Sequence, residues 1–458
     1  MREYLLVVFC TAAVTYLLVG PVRKFAIIAG AMPPVRARDV HREPVPRLGG
    51  IAMFGGLCAG LLVAFQLSNL GKVFHQDSSD IKALLSGVGI MWVIGVLDDK
   101  WGVDALVKLG GQMIAAGVMV YQGITVISIP VPGVGTVSLS PTLGMVISVA
   151  LVVVMVNAVN FIDGLDGLAG GMVCIAAMAF FLYSYRLWYV YSISEAAPAV
   201  LFSALLIGMC LGFLPHNVHP ARIFMGDSGS MMLGLMLAVA AISVTGRVDP
   251  DLITAQAGSQ TATTHILVPI YIPLLLPLAV IALPLADLLL AVVRRTWAGR
   301  SPFAADKQHL HHRLLEIGHS HSRAVLIMYF WAALIAFGTV AFSFTDTGRT
   351  VVLTCAGLCL VGIVVLLLPW FRPKAPAAVQ SFVPPRYRKG ARAAAQGRAV
   401  APVAERSQAP SPAQPADRGP VGPLHEELPA MAELSAKDQE LLGQLGTGAS
   451  AVGEHPQH

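Results

Sequence analysis

The sequence predicts an all-α polytopic membrane protein with about eleven transmembrane helices and a small extracytoplasmic β-hairpin. Only 12% of the 458 residues are charged, whereas 55% are hydrophobic and the mean hydropathy is +0.69. Because soluble domains usually carry about 25% charged residues, much of the surface of this chain is expected to face lipid. The composition therefore excludes a soluble globular enzyme, and it excludes disorder for most of the chain.

The transmembrane helices are predicted from apolar runs separated by glycine, proline or charged residues. A helix needs roughly 20 apolar residues to cross a hydrocarbon core about 30 Å thick. The predicted spans are Glu3 to Val22, Leu48 to Leu67, Ile81 to Leu97, Ala105 to Tyr121, Thr142 to Val156, Leu168 to Tyr185, Ala196 to Leu214, Gly229 to Thr245, Ile266 to Val293, Ala324 to Phe342 and Thr350 to Trp370. All six cysteines lie inside these runs, so they are predicted to be packing residues without disulfides.

The distribution of Lys and Arg between the loops predicts the orientation in the membrane. Loops after the first, third, seventh and ninth runs hold more than twice as many basic residues as the opposite side. Cytoplasmic loops carry such an excess, so the N-terminus is predicted outside and the C-terminus in the cytoplasm. The net charge of +5 is small and gives no indication of nucleic-acid binding.

Two segments do not fit the pattern of apolar spans. Gly123 to Ser140 alternates β-branched residues around proline and glycine, which predicts the hairpin. Beyond Pro369 the composition shifts to Ala, Pro, Gln, Arg and Glu, which cannot bury a core. The chain is therefore divided into a transmembrane domain over residues 1–371 and a disordered cytoplasmic tail over residues 372–458.

Carboxylates, amides and histidines collect in four clusters that the orientation places on the cytoplasmic side. Asp98 and Asp99 end the third run, NAVNFIDGLDG follows the fifth, MGDSG precedes the eighth, and DKQHLHHR follows the ninth. Ionisable groups at membrane level are costly, and they indicate functional sites by default. These four clusters therefore hold the candidate functional residues.

The cluster after the fifth run can bind a metal or phosphate. Asn157, Asn160 and Asp163 recur at intervals of three, so they can share one helix face. A calcium-binding EF-hand is excluded, because its twelfth position requires a carboxylate and here holds Cys174. Simple polar capping remains the alternative.

Two acidic clusters admit more than one role. Asp227 lies in GDSG, which resembles a protease nucleophile motif, but an apolar run rich in Met, Leu and Gly follows and excludes that fold. Asp227 is therefore either a helix cap or a metal ligand. Asp98 and Asp99 diverge by about 100° on a helix, so one can face a site while the other caps or pairs elsewhere.

The histidine cluster permits zinc or phosphate binding. His309, His311 and His312 have no nearby cysteine pair and are flanked by basic residues, so donation to phosphate is as plausible as zinc. Together with the cations Lys108 and Arg295, the clusters describe phosphate chemistry with Mg²⁺. Mg²⁺ typically takes one or two protein oxygens plus substrate phosphates.

The joint motifs resemble the bacterial polyprenyl-phosphate N-acetylhexosamine-1-phosphate transferase family of the WecA/TagO type, in glycosyltransferase family 4. The resemblance covers roughly Met1 to Trp370. It rests on HREPVPRLGG at His41, GVLDDKWGV at Gly95, LVKLGGQ at Leu106, NAVNFIDGLDGLAGG at Asn157, RIFMGDSGS at Arg222 and SPFAADKQHLHHRL at Ser301. Residues 1–371 would then be the catalytic domain.

The resemblance implies a role for each matching residue. Asp227 is the Mg²⁺ ligand and Asn160 its helper, with Mn²⁺ expected to substitute. The catalytic acids are Asp98, Asp99, Asp163 and Asp166, the first pair near the lipid phosphate and the second in the nucleotide-sugar loop. The substrate-binding residues are Lys108, Asn157, Arg295, His309, His311 and His312.

The implied reaction transfers GlcNAc-1-phosphate from UDP-GlcNAc to polyprenyl phosphate at the cytoplasmic membrane face and releases UMP. In phospho-MurNAc-pentapeptide transferases of the same superfamily, the histidine motif looks like three consecutive histidines. This chain has His-Leu-His-His instead, which favours UDP-GlcNAc as the sugar donor. Direct in-line attack is expected, and a covalent aspartyl intermediate is the alternative. A homodimer is expected from the resemblance alone.

A polytopic transporter is the alternative from a different class of protein. Intramembrane carboxylates and histidines often line transport pathways. A transport path is expected to place ionisable residues at mid-membrane in several spans. Here they lie mainly at one face and no internal repeat is detected, which favours the transferase.

Overall fold

The computed structural model describes residues 1–32, 44–71, 78–131, 135–245, 293, 296, 297, 299, 320–344 and 348–367. Ten helices of at least 17 residues lie within these ranges. They are α1 (Arg2–Ile28), α2 (Gly49–Gln66), α3 (Ser78–Trp101), α4 (Ala105–Tyr121), α5 (Pro141–Ile162), α6 (Leu168–Tyr189), α7 (Ala197–Asn217), α8 (Gly226–Thr245), α9 (His321–Phe344) and α10 (Gly348–Leu367). A 3₁₀ turn, Ser194–Ala196, precedes α7.

The predicted fold class is confirmed. Eight of the described helices are long and apolar enough to cross a membrane, and α4 and α10 contain shorter apolar segments. The chain is therefore a multi-pass membrane protein. The ninth predicted span lies outside the described residues except for Val293, and so does the predicted tail.

Most sequence-predicted spans begin or end a few residues from the observed helices. The third helix continues past Leu97 to Trp101, so Asp98 and Asp99 lie on its last turn. The eighth begins at Gly226 instead of Gly229, which puts Asp227 in its first turn. Polar residues were excluded from the apolar runs, yet they continue these helices because their side chains find partners inside the protein.

The predicted hairpin is confirmed. Strand β1 (Ser128–Val131) pairs antiparallel with β2 (Gly135–Ser138), with Ser128 opposite Ser138 and Ile129 opposite Val137. The hairpin joins the end of α4 to the start of α5. Its predicted location outside the cytoplasm stays a prediction.

Local caps fix where two of the site-bearing helices begin. The carboxylate of Asp104 accepts a hydrogen bond of 2.8 Å from the amide of Leu106 and starts α4. The hydroxyl of Ser140 accepts a bond of 3.4 Å from the amide of Leu143, and Pro141 follows at the first position of α5. Because α4 crosses the bundle between the two caps, the two helices begin at opposite faces.

Helix α8 forms the centre of the bundle. Buried residues make up 94% of its apolar span, against 28% for α1, and it packs against α2, α3, α5, α6 and α7. Its first turn is approached closely by two glycines: a β-carbon at Gly50 or Gly95 would overlap the backbone around Ser228. The small residues thus let three helix ends meet at one point.

The alternation of helices brings the acidic clusters to one face. Helices α3, α5 and α7 end at this face, and α4, α6 and α8 begin there. The backbone at the beginning of α2 joins them, because the amides of Gly49 and Gly50 donate to the carbonyls of Phe224 and Met225 at 3.0 and 2.9 Å. The described clusters therefore share one face, as the sequence predicted.

Replacing Gly95 by Ala is expected to destabilise the protein, whereas Gly89→Ala on the same helix serves as the matched control. A β-carbon at Gly95 forces the backbones of α3 and α8 apart, and overpacking of this kind costs about 1–3 kcal/mol. Gly89 has no atom within 4 Å of its added β-carbon. Thermal unfolding in detergent should show a lower melting temperature for the first variant alone, and equal melting temperatures would contradict the packing account.

Candidate active site

The ammonium of Lys108 lies between two carboxylates from different helices. It donates to Asp98 Oδ2 at 2.7 Å and to Asp227 Oδ2. Lys108 is on the first turn of α4, Asp98 on the last turn of α3 and Asp227 on the first turn of α8. The side chains remain partly accessible, with Lys108 21% and Asp98 13% exposed. The bridge therefore closes a junction of three helices and can still meet a ligand.

Asn160 supplies the other polar contact to Asp227. Its Nδ2 donates to Asp227 Oδ1 at 3.0 Å and to the hydroxyl of Ser230 at 2.9 Å. The two carboxylate oxygens of Asp227 thus have different donors, one from α4 and one from α5. Asn160 and Asp227 are therefore in direct contact, and their shared role in binding a metal ion stays a prediction.

Asp99 has a different set of partners from its neighbour Asp98. Its oxygens accept hydrogen bonds from the amides of Asp227 and Ser228 at 2.8 and 3.1 Å, and from the Ser228 hydroxyl at 2.7 Å. The carboxylate is buried. The two acids diverge, as the helix geometry predicted, and Asp99 meets the beginning of α8 instead of Lys108. Its catalytic role stays a prediction.

A pair of amide side chains, the buried Gln112 and the partly buried Asn157, lies one helical turn deeper in the bundle than the bridge. Asn157 Nδ2 donates to Gln112 Oε1 at 2.6 Å and to the carbonyl of Val153 at 2.8 Å. Gln112 also donates through Nε2 to the sulfur of Met231 at 3.6 Å. Asn157 therefore does not share the contacts of Asn160, and its direct substrate-binding role stays a prediction. The pair joins α4, α5 and α8 beneath the bridge.

Asp163 lies just beyond α5, as its C-cap, and not on the helix face predicted for it. The chain leaves the helix there because the next residues form the glycine-containing turn before α6. Burial raises the pKa of Asp163 to about 8; the charges of Asp227 and Asp99 add to this, and Arg47 opposes it. The structure thus places Asp163 within electrostatic reach of the bridge and of Arg47 from the first loop.

Asp166 belongs to a second polar group at this face. Its Oδ2 lies 2.7 Å from His219 Nδ1 and accepts a bond of 3.1 Å from the amide of Ala221. The ring of His219 stacks on that of His321 at a centroid distance of 4.3 Å. Ligand atoms of these three side chains lie within 4.8 Å of one another. No sequence motif indicated His219 or His321 as a site, because 102 positions separate them.

The loop that carries Asp163 and Asp166 is tied to two helices. The amide of Gly167 donates to Asn217 Oδ1 at 3.0 Å, and Asn217 Nδ2 donates to the carbonyl of Ile223 at 3.0 Å. The hydroxyl of Tyr329 on α9 donates to the carbonyl of Gly167. Gly167 has a φ of 78°, a left-handed conformation that suits glycine. These contacts hold the loop against the end of α7 and the first half of α9.

The oxygen atoms around the bridge fit a divalent cation of the Mg²⁺ type. The carboxylates of Asp98 and Asp227 converge on the ammonium of Lys108, and the carboxamide of Asn160 contacts Asp227. Mg²⁺ prefers oxygen ligands and usually takes only one or two protein carboxylates. The remaining predicted residues, Arg295, His309, His311 and His312, lie outside the described residues.

The sequence of this membrane-spanning bundle is similar to those of known transferases. Residues 81–245 match the family model described as glycosyl transferase family 4. The decaprenyl-phosphate N-acetylglucosaminephosphotransferase of Mycolicibacterium smegmatis is 44% identical over 376 residues, 81% of this chain and 90% of the relative. The Mycobacterium tuberculosis H37Rv protein of the same name is 44% identical over 371 residues, 80% and 89% of the two chains.

A more distant relative is similar over a shorter aligned length. The undecaprenyl-phosphate alpha-N-acetylglucosaminyl 1-phosphate transferase of Yersinia pestis is 27% identical over 323 residues, 69% of this chain and 77% of the relative. The chain belongs to the polyprenyl-phosphate N-acetylglucosamine-1-phosphate transferase family, within glycosyl transferase family 4. It is therefore a phosphoglycosyltransferase, and the transporter alternative is set aside.

The raised pKa of Asp163 predicts a pH dependence of stability that Asp163→Asn removes. Below about pH 4 the carboxyl is protonated in both folded and unfolded chains. As the pH rises to about 8, the unfolded chain releases the proton while the folded chain retains it, so folding stability falls. Measured in EDTA, the melting temperature of the wild type should fall relative to the variant across this window and then level off. If the melting temperatures of the two proteins changed in parallel with pH, the pKa of Asp163 would not be raised by folding.

Proposed function

We propose that the protein transfers GlcNAc-1-phosphate from UDP-GlcNAc to a polyprenyl phosphate, giving polyprenyl-diphospho-GlcNAc and UMP. The observation that carries this proposal is the junction of Lys108, Asp98, Asp227 and Asn160 at one face of an apolar bundle. The names of the relatives, which specify decaprenyl or undecaprenyl phosphate and N-acetylglucosamine, support the same substrates. Transfer of this kind is the first membrane step of a cell-envelope glycan pathway.

The proposed reaction is one in-line displacement at phosphorus. A phosphate oxygen of the lipid attacks the β-phosphorus of UDP-GlcNAc, which carries the sugar, and forms the new diphosphate. The bond from that phosphorus to the oxygen bridging the α-phosphate breaks, and UMP leaves with the electron pair. The second pKa of a phosphate monoester is about 6, so the nucleophile is largely ionised at neutral pH. A strong base is not required.

The described residues have distinct parts in this displacement. Lys108 supplies a positive charge to phosphate oxygens, and it can do so because its ammonium is partly exposed beside two carboxylates. Asp98 holds that ammonium and accepts the residual proton of a protonated nucleophile. Asp227 and Asn160 would hold Mg²⁺, for which Mn²⁺ would substitute. When bound, this cation neutralises the charge that develops on the transferred phosphoryl group.

The distribution of basic residues and the nature of the substrates support one orientation in the membrane. The helix ends and loops at the face of the bridge are rich in Lys and Arg, including Arg23, Arg47 and Arg222, which supports a cytoplasmic location for this face. UDP-sugars are cytoplasmic substrates, and the polyprenyl phosphate offers its headgroup at the membrane surface. The N-terminus then lies outside. A homodimer stays an expectation of the family.

Transfer from UDP-GlcNAc is tested in detergent with radiolabelled sugar nucleotide, polyprenyl phosphate and Mg²⁺. Label should enter the lipid phase with stoichiometric release of UMP, and EDTA should abolish both. UDP-MurNAc-pentapeptide forms the second arm of the assay. Transfer from the pentapeptide substrate alone would contradict the assignment of the sugar, and transfer from neither would contradict the proposed reaction.

Replacement of Asp227 by Ala should lower kcat by at least about 100-fold, since it removes a metal ligand and a partner of Lys108. The matched control is Asp104→Asn. It removes a carboxylate charge at the same face, but asparagine caps a helix as well as aspartate does. The control should retain activity within about twofold. Near-normal turnover of the Asp227 variant in the same assay would remove Asp227 from the site.

A further inference from the structure

Asp99 is the acceptor for the first turn of α8. The first amides of a helix have no partner within the helix and need an external acceptor. Here the carboxylate arrives from another helix, 128 residues away in sequence, and accepts from two successive amides and one hydroxyl. A negative charge at this end also complements the helix dipole. Asp99 thus serves α8 as a cap supplied by α3.

The chain is shaped to accept this contact. Gly226 has a φ of 71°, and a β-carbon at that position would overlap the carboxylate of Asp99. Gly95 lies one turn before Asp99, where a β-carbon would overlap the backbone of Ser228. The two glycines therefore let the last turn of α3 and the first turn of α8 approach closely enough for direct hydrogen bonds.

The contact fixes the direction of Asp227. The amide held by Asp99 is that of Asp227 itself, at 2.8 Å, while the Asp227 side chain reaches Lys108 and Asn160. A backbone held at this residue leaves its carboxylate little freedom to turn away from the bridge. Asp98, one residue before Asp99, reaches Lys108. Of these two adjacent acids on α3, Asp99 therefore holds the backbone of the junction and Asp98 pairs with one of its side chains.

The accessibility of the two acids separates their roles. Asp99 is 8% exposed and both of its oxygens accept hydrogen bonds from α8. A substrate phosphate can reach Asp99 only by displacing those donors. Asp98 and Lys108 keep exposed surface at the face of the bundle.

We propose that Asp99 is a positioning residue that acts through the first turn of α8 to orient Asp227, and that Asp98 alone of the pair faces the substrates. The proposal rests on the proposed function for the identity of those substrates. Asp98 and Asp99 look equivalent because they are adjacent in sequence, and the proposal gives them different roles. Asp99 contributes to metal binding without touching metal or substrate.

A double-mutant cycle between Asp99 and Ser228 tests this division. The four proteins are wild type, Asp99→Asn, Ser228→Ala and the double variant, and the readout is Mn²⁺ affinity by electron paramagnetic resonance. Asp99→Asn is expected to weaken Mn²⁺ binding at least tenfold and Ser228→Ala about two- to fivefold. The double variant should bind no more weakly than Asp99→Asn, because both changes remove one shared contact. The proposal would be overturned if the two losses of Mn²⁺ affinity multiplied in the double variant. It would also be overturned if Asp99→Asn left the Mn²⁺ affinity unchanged.

Turnover measurements separate positioning from proton transfer. If Asp99 positions Asp227, the pH profile of kcat/KM keeps its shape in Asp99→Asn while the Mg²⁺ concentration for half activation rises. Loss of the acidic limb of the profile would make Asp99 a base and overturn the proposal. Ser140→Ala, which removes a helix cap at the other face, is the control and should leave Mn²⁺ affinity unchanged.

The design keeps the two proposals distinguishable. Should Asp99→Asn fail to fold, Ser228→Ala alone must still weaken Mn²⁺ binding, and normal affinity in that variant would overturn the positioning role. If the wild type binds Mn²⁺ and the cycle behaves as expected but no sugar phosphate is transferred, the proposed function fails and the positioning role stands. Absence of saturable Mn²⁺ binding in the wild type would overturn the positioning role itself.

Discussion

The ammonium of Lys108 between the carboxylates of Asp98 and Asp227 is the interaction on which the site depends. Charges at membrane level are costly unless they are paired, and here one positive and two negative groups come from three different helices. Removing one partner of a buried pair leaves the other uncompensated, which typically costs 3–5 kcal/mol. Because these groups are partly exposed, the cost here is lower. The same exposure lets the pair act on a ligand.

The packing around the bridge brings the helix ends close enough for its ion pairs to form. Glycines at positions 50 and 95 allow α2 and α3 to reach the beginning of α8, and Asp99 accepts the amides that α8 leaves unpaired. One turn deeper, the pair of Gln112 and Asn157 supports α4 against α5. Polar contacts at two levels therefore hold three helices in register. Catalytic geometry of this kind needs rigid support, since a misplacement of about 1 Å can cost 100-fold in rate.

The sequence predicted the helices and the shared face because both follow from local patterns. Apolar runs have the length of the membrane, and alternation of helices brings every second loop to one side. It could not assign Asp98 and Asp99 to different partners, since those partners lie on α4 and α8. Gln112 carried no chemical signal of its own, and its role appears only from the contact with Asn157. His219 and His321 become neighbours only when α9 packs beside α6.

The most direct test of the site is the location of a bound Mn²⁺ ion by anomalous X-ray scattering from crystals grown with MnCl₂ and UDP. One ion is expected within about 2.1 Å of a carboxylate oxygen of Asp227, a distance typical of the smaller divalent cations. Asn160 and Asp98 should lie beside it, with Lys108 turned toward the diphosphate. An ion held instead by Asp166, His219 and His321, with Asp227 still bound to Lys108, would contradict the account.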